Sequence, residues 1–372
     1  MKQTNGQHLI SIFEEWAPRS LAVEGDSVGL QIGRLDKLVT KVLVTLDVND
    51  EVVDEAIEQG CQLIIAHHPP IYSKLKNIRT DMPQGRLFEK LIKHDIAVYA
   101  AHTNLDIATG GVNDLLAEAL KLENISILEP TTSENLMKLE VFTPKEATET
   151  VRKALAEAGA GNIGDYNSCS FTTSGEGRFK PEESAEPYIG KPNELAVVKE
   201  EKIEVVLPES KKNKVLRALL NNHPYEEPAY NLMSLDTQVN EMGLGRIGLL
   251  PKKVSLADYA NTVKSLLNVP FVRVVGPLDK PVQKVAVLGG DGNKYISIAK
   301  RAGADVFITG DLYFHIAQDA LAMGLAVIDP GHHIEQIMRI GVAKYMQAEC
   351  LNKKLDCEFI ASKISTEPFK LI

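Results

Sequence analysis

Short apolar runs alternate with amphipathic stretches through the first third of the 372-residue chain. KVLVTLDV (41–48) is rich in β-branched and aliphatic residues, long enough for a strand and too short for a buried helix. It passes directly into NDEVVDEAIEQG (49–60), where apolar residues recur at helical spacing. An asparagine there can cap the first turn and a glycine can end the last. CQLIIAH (61–67) and IAVYAAH (96–102) read as further strands. Residues 7–16, GRLFEKLIKHD (85–95) and GGVNDLLAEALKL (110–122) read as amphipathic helices. Strands that are apolar at nearly every position, separated by helices, imply a parallel sheet covered on both faces.

The last third follows the same grammar. KVAVLGGDG (284–292) runs from a strand into a glycine turn, NKYISIAKRAG (293–303) is helical, and ADVFITGD (304–311) is a strand. LYFHIAQDALAMG (312–324) is a helix, LAVIDPGHH (325–333) a strand entering a loop, and HIEQIMRIGVAKYMQAEC (333–350) a long helix. No residue-level repeat links the two outer sections. The middle reads differently: strand MKLEVFTP (137–144), helix 145–161, strand CSFTTSGEGRFKP (169–181), strand KIEVVLPES (202–210), helix 211–224, strand YEEPAYNLMSL (225–235). This β-α-β-β-α-β order suits a ferredoxin-like α+β domain inserted into an outer α/β domain. The polar run 175–202 is expected to be an exposed hairpin or loop. The pattern therefore predicts an outer domain from residues 1–128 and 241–372, and an insert from 129–240.

Bulk composition narrows the function. Apolar residues make up 44% and charged residues 24%, as in ordinary soluble domains. A net charge of −9 disfavours nucleic acid, which calls for a basic surface. A local basic lining from Arg178, Lys180, Lys211 and Lys212 is the one feature on the other side. No apolar run is long enough to span a membrane. The first residues carry Glu14 and Glu15 and no unbroken apolar core, unlike a signal peptide, so a cytoplasmic chain is expected. Its four cysteines, Cys61, Cys169, Cys350 and Cys357, show no CxxC spacing and are expected to be reduced thiols.

The candidate chemistry lies in the histidines. Four of the nine come as adjacent pairs, His67–His68 and His332–His333, each where an apolar strand runs into a loop. Neutral imidazole is the commonest protein metal ligand. Where a strand ends the backbone turns, so neighbouring imidazoles can reach two ions a few ångströms apart. Pro69 and Pro70 stiffen the first loop and deny a helix. Asp106 follows the strand 96–102 and offers a hard ligand able to bridge. His102, at the same strand end, is a candidate ligand, orienting group or proton carrier. His332 and Glu335 are three apart, which places them on one face if a helix begins near His333. This nitrogen and oxygen set suits Zn²⁺, Fe²⁺ or Mn²⁺, with two divalent ions per subunit as the expectation.

Plainer readings stand beside these. A lone buried histidine is more often a hydrogen-bonded core residue than a ligand, and His8, His94 and His223, which lack such a context, are read as surface or local hydrogen-bonding residues. Asp311 and His315 have two readings: Asp311 caps the next helix, or both residues face the metal cleft and bind or protonate substrate. GGDG (289–292) could hold an anion on its amides, although tight-turn geometry explains such glycines more often. GLGRIG (243–248) lacks the dinucleotide spacing and follows no clear strand.

Taken together, HHPPIY (67–72), AHTNLD (101–106), GADVFITGDLYFH (303–315) and DPGHHIEQ (329–336) resemble the Nif-three-like family. Its bacterial members are often labelled GTP cyclohydrolase type 2 homologues. SVGLQIG (27–33), TLDV (45–48) and EMGLGRIG (241–248) resemble further signatures, and NHPYEEPAY (222–230) resembles the PII/CutA-like insert of its long members. The resemblance implies a two-lobed α/β domain with that insert, a toroidal homohexamer, and metal ligands at His67, His68, Asp106, His332 and Glu335. Many members place the last glutamate four residues after the first histidine of the pair. Here the spacing is three, which leaves His333 open as a ligand in place of His332.

The leading expectation is a divalent-metal-dependent hydrolase, GTP cyclohydrolase-like in one version, acting on a nucleotide-like or phosphorylated small molecule. His102 and His315 are the candidate proton carriers. The rival is a metal-containing regulatory or interaction protein whose PII-like module senses a ligand.

Overall fold

The structure is a computed structural model and describes residues 2–370 and 372. The chain divides into two compact units, Met1–Thr132 with Met242–Ile372, and Ser133–Glu241.

The outer unit begins with α1 (Gly6–Trp16), β1 (Gly29–Ile32), β2 (Lys41–Thr45), α2 (Asp50–Glu58), β3 (Leu63–Ala66), α3 (Pro83–Lys93), β4 (Ala97–Ala100), α4 (Thr103–Ile107) and α5 (Val112–Ala119). Asn49 caps α2 as its sequence predicts: its side chain accepts the Val52 N–H at 2.9 Å. The chain then enters β5 (Glu123–Pro144), which leads into the insert.

The insert continues through α6 (Thr148–Glu157), β6 (Phe171–Phe179), β7 (Ala196–Pro208), α7 (Lys212–Asn222) and the start of β8 (Tyr230–Ser255). Its strand order is β6-β7-β5-β8, with β7 antiparallel to both neighbours. Alternate residues of β5 and β7, including Leu139, Val141, Ile203 and Leu207, are buried with Val151 and Leu155 of α6 and Val215 and Leu219 of α7. The polar run 175–202 forms the hairpin of β6 and β7 and the loop between them.

β8 returns the chain to the outer unit, followed by α8 (Leu256–Leu266), β9 (Arg273–Val275), β10 (Pro281–Asp291), α9 (Ile296–Arg301), β11 (Val306–Gly310), α10 (Phe314–Ala322), β12 (Ala326–Asp329), α11 (Ile337–Asn352) and β13 (Glu358–Ala361). One sheet has the order β1-β4-β3-β2-β13, parallel except for β1. In the other, β10, β11 and β12 are parallel, flanked by antiparallel β8 and β9. β3, β4, β11 and β12 are buried throughout, and Val42, Leu43, Ile64, Ile65, Val98, Phe307 and Ile308 are fully enclosed. Each such side chain contributes about 1.5–3 kcal/mol relative to leaving it in water.

The strand β8 absorbs GLGRIG, which the sequence pattern leaves outside any strand. Glycine there answers to close packing. A Cβ at Gly243 would lie 2.1 Å from the Glu129 carbonyl oxygen, and one at Gly248 would lie 2.9 Å from that of Glu123. Arg246, nearly fully buried, donates to the carbonyls of Gly243 and Gly245 and pairs with Asp114 of α5 at 2.7 Å. No helix among the described residues is long and apolar enough to cross a membrane.

Candidate metal centre

The carboxyl ends of parallel strands from both sheets of the outer unit converge. Asp47 follows β2, His67 and His68 follow β3, and His102 follows β4. Asp311 follows β11, and His332 follows β12. Gly331, at φ +88°, turns the chain out of β12 into a 3-10 turn, His332–Gln336. With three residues per turn, His332 and Glu335 fall on one face. A 3-10 turn in place of the expected helix start thus accounts for the spacing of three.

Four imidazoles are each held from behind. The Nδ1–H of His67 donates to the Ala101 carbonyl at 2.7 Å. Nδ1 of His68 meets Asp47 at 2.7 Å, Nδ1 of His102 meets Asp26 at 2.9 Å, and Nδ1 of His332 meets Asp311 at 2.7 Å. With Nδ1 engaged, each ring turns Nε2 inward, the arrangement by which metal-ligating histidines are oriented. Glu335 lies at the focus. One of its oxygens is 3.1 Å from both His68 Nε2 and His332 Nε2, and the other is 3.8 Å from His67 Nε2. Three overlapping groups could hold an ion: His67, His68 and His102; His68, His332 and Glu335; His67, Asp106 and Glu335.

One pair tests whether a cation fits. His67 Nε2 and Asp106 Oδ1 are buried, 3.5 Å apart, and neither has a hydrogen-bond partner. With Nδ1–H committed to Ala101, a neutral His67 ring turns a lone pair toward a carboxylate oxygen. An unsatisfied buried polar atom costs about 1–3 kcal/mol. The pair calls for a proton or a metal cation between its two atoms, and this donor set suits a metal.

Charge in the cluster points the same way. Burial opposes a proton on His68, but its bonds to Asp47 and Glu335 outweigh that and push its pKa up to about 10. His332 is pushed up to about 9, chiefly by Glu335. Despite burial, the imidazoles hold Glu335 well below the usual carboxylate range. Asp106 is raised to about 6 by burial. In the protein alone, protons therefore occupy positions that divalent cations would take.

The sequence-predicted residues His67, His68, His102, Asp106, His332 and Glu335 all come together. His333 lies outside the cluster, with Nε2 3.4 Å from Thr366 Oγ1. His315 also stands apart. It is exposed on α10, 3.4 Å from Gln318 and packed against the Phe314 ring. Asp311 does not cap α10, whose N-cap is Tyr313 with no side-chain cap bond. Its carboxylate holds His332 from a left-handed backbone, φ +50°, unusual for a residue other than glycine. Two amides of GGDG are already used: Gly289 N–H donates to Asn113 and Gly292 N–H to Thr309. A Cβ at Gly290 would lie 2.7 Å from Glu335 Oε1, so this glycine makes room for the glutamate.

Asp26 was not legible in the sequence. It sits in EGDSV, just before β1, without periodicity or a neighbouring ligand to flag it. The chain's last described stretch was missed as well. Thr366 donates to the second oxygen of Asp47 at 2.5 Å. A cavity of about 700 Å³ opens beside His68 and His332, walled by Phe271, Arg273, Thr366, Phe369 and Lys370.

Fold and cluster together define an α/β protein with a possible metal site built from histidine, aspartate and glutamate at strand ends. The family model for Duf34/NIF3 (NGG1p interacting factor 3) matches residues 4–368, and the chain belongs to that family. It is 53% identical over 372 residues to a GTP cyclohydrolase 1 type 2 homolog of Halalkalibacterium halodurans, covering 100% of both chains. It is also 53% identical over 371 residues to the Bacillus subtilis protein of the same name, again covering 100% of each. Among solved structures, a Bacillus cereus protein related to NIF3 is 50% identical with a TM-score of 0.96, and a Staphylococcus aureus protein is 33% identical with a TM-score of 0.79. Each covers 100% of both chains.

Proposed function

We propose that the outer unit is a divalent-metal-dependent hydrolase with a two-ion centre, acting on a nucleotide-like or other phosphorylated small molecule. The observation that carries this reading is the pair of buried atoms without hydrogen-bond partners, His67 Nε2 and Asp106 Oδ1, inside a set of side chains fixed from behind. His67, Asp106 and Glu335 would hold one ion; His68, His332 and Glu335 would hold the other, with Glu335 shared. The mixed nitrogen and oxygen donors suit zinc, iron or manganese. Bound cations supply a water pKa lowered to about 7 and compensation of negative charge at the reacting centre.

The remaining roles fall to the chain itself. Asp26 fixes the His102 ring, whose centroid lies 5.2 Å from that of His67 and 5.7 Å from that of His68. His102 is the group we assign to proton transfer. Lys370 gives the adjoining cavity a cationic group for an anionic substrate, Arg273 being paired there with Asp329, and Phe271 and Phe369 give flat apolar faces for a base. The names of the relatives make GTP the first compound to try. We also read the insert as PII/CutA-like, which its strand order supports, and the assembly as a toroidal homohexamer, which the family resemblance implies.

The test uses purified protein loaded in turn with zinc, iron and manganese, and assayed on a nucleotide panel that includes GTP. Turnover should require a metal and vanish, together with metal uptake, in His68→Ala and Glu335→Ala. Full turnover by a metal-free double variant would rule the mechanism out. Light scattering should give six times the chain mass of 40.8 kDa; a stable monomer would refute the ring.

A further inference from the structure

The insert holds a cavity of its own, about 650 Å³, between the end of β6, the loop after it and the segment leading to β8. Its centre is Tyr225. The Tyr225 ring centroid lies 5.8 Å from that of Phe179 and 6.3 Å from that of Tyr188, with the rings inclined at 63° and 54°. Tyr225 is fixed at both ends. Its backbone N–H donates to Nδ1 of His223 at 3.1 Å, and its hydroxyl donates to Glu200 at 2.8 Å. His223 is buried and is tied in turn to the Phe142 carbonyl through Nε2 at 3.0 Å. The central aromatic wall, Tyr225, is therefore held in place without a ligand.

The carboxylate of Glu200 belongs to the same cavity, and space has been left for it. A Cβ on Gly177 would lie 2.1 Å from its second oxygen. Gly177 sits in β6 and has no left-handed backbone, so no turn requires a glycine there. Glu182, Glu226 and Glu227 add further negative charge to the lining. Of its two cations, Arg178 is paired with Glu176 at 2.8 Å, which leaves Lys180. Aromatic faces beside an excess of carboxylate repel an anion and give a neutral guest little. They match a cation with an apolar surface, which is attracted to ring faces and carboxylate alike.

We propose that this cavity binds a small organic cation, an ammonium bearing alkyl groups, between Phe179, Tyr188 and Tyr225 and against Glu200. The segment NHPYEEPAY then has a physical role: His223 locks the loop, Tyr225 supplies the central face, and the two glutamates set the sign of the guest. The site uses residues of the insert alone and does not depend on the metal reading.

The test is calorimetric titration of the full-length protein with choline and with 3,3-dimethylbutan-1-ol, its uncharged carbon analogue. Choline should bind saturably, and the analogue about tenfold more weakly, in line with the attraction of a cation to aromatic faces. Tyr188→Ala, at a residue 61% exposed, leaves the insert's core intact and should weaken choline about three- to thirtyfold. Glu200→Gln should weaken it too, and Gly177→Ala should reproduce that loss by displacing the carboxylate. Metal content should stay unchanged in all three variants. Equal binding of choline and its analogue, no saturable binding of choline, or unaltered binding in Tyr188→Ala and Glu200→Gln would each overturn the proposal.

Discussion

His68 Nε2 and Glu335 Oε2 lie 3.1 Å apart although 267 positions separate them in the chain. Neither is placed by its local sequence alone. Two sheets of one unit must pack so that the end of β3 faces the turn after β12. The same glutamate oxygen is equally close to His332 of its own turn, so one side chain ties the segment after β3 to the segment after β12.

That shared position sets an order among the variants. Glu335 belongs to two of the candidate ion groups and Asp106 to one. Glu335→Gln, nearly unchanged in shape, should abolish retention of both ions. Asp106→Asn should lose one and keep the other. Elemental analysis of the purified variants distinguishes the two results.

The orienting carboxylates should matter almost as much. Asp47→Asn and Asp311→Asn remove no ligand, yet each should weaken metal affinity about 10- to 100-fold, because the imidazole loses the charge that fixes and polarises it. Chelator competition measures this. Unchanged affinity would mean that the 2.7 Å contacts do not tune the site.

Gly290→Ala should damage the centre without touching a donor. Residue 290 has φ +63°, where an L side chain costs about 1–2 kcal/mol, and the new methyl would lie 2.7 Å from Glu335 Oε1. Gly25→Ala is the control, since φ is +85° there and nothing lies within 4 Å. Both should lower the melting temperature, and only Gly290→Ala should lose metal.

The pH dependence of the insert should trace to His223. Burial holds its imidazole below the ordinary value of 6.5, although the Phe142 carbonyl pulls the other way. Between the folded and unfolded values the unfolded chain binds the extra proton. The contribution is therefore fully present above 6.5 and lost as pH falls through the folded value. The urea midpoint of the wild type should drop from about pH 7 to about pH 5 more steeply than that of His223→Gln.

Much of the cluster could be read from the chain because strand ends announce themselves. An apolar run closing on two imidazoles, as in CQLIIAHH, carries its own warning. Asp47 was visible only as part of TLDV, and Asp26 not at all, since groups that hold a ligand from behind need no spacing relation to it. The Ala101 carbonyl is backbone and leaves no trace in residue identity. GLGRIG was misleading for a different reason: glycine weakens a strand locally, and only the close approach of β5 explains why β8 keeps it. His315 resembled a site residue by position after a strand, but the turn of α10 carries it to the surface.

Anomalous diffraction from crystals of the zinc-loaded protein addresses the central claim most directly. The account requires one peak between His67 Nε2 and Asp106 and another between His68 Nε2 and His332 Nε2, both at about 2.0–2.2 Å from a Glu335 oxygen. Peaks elsewhere, or none at these side chains in metal-saturated crystals, would contradict it.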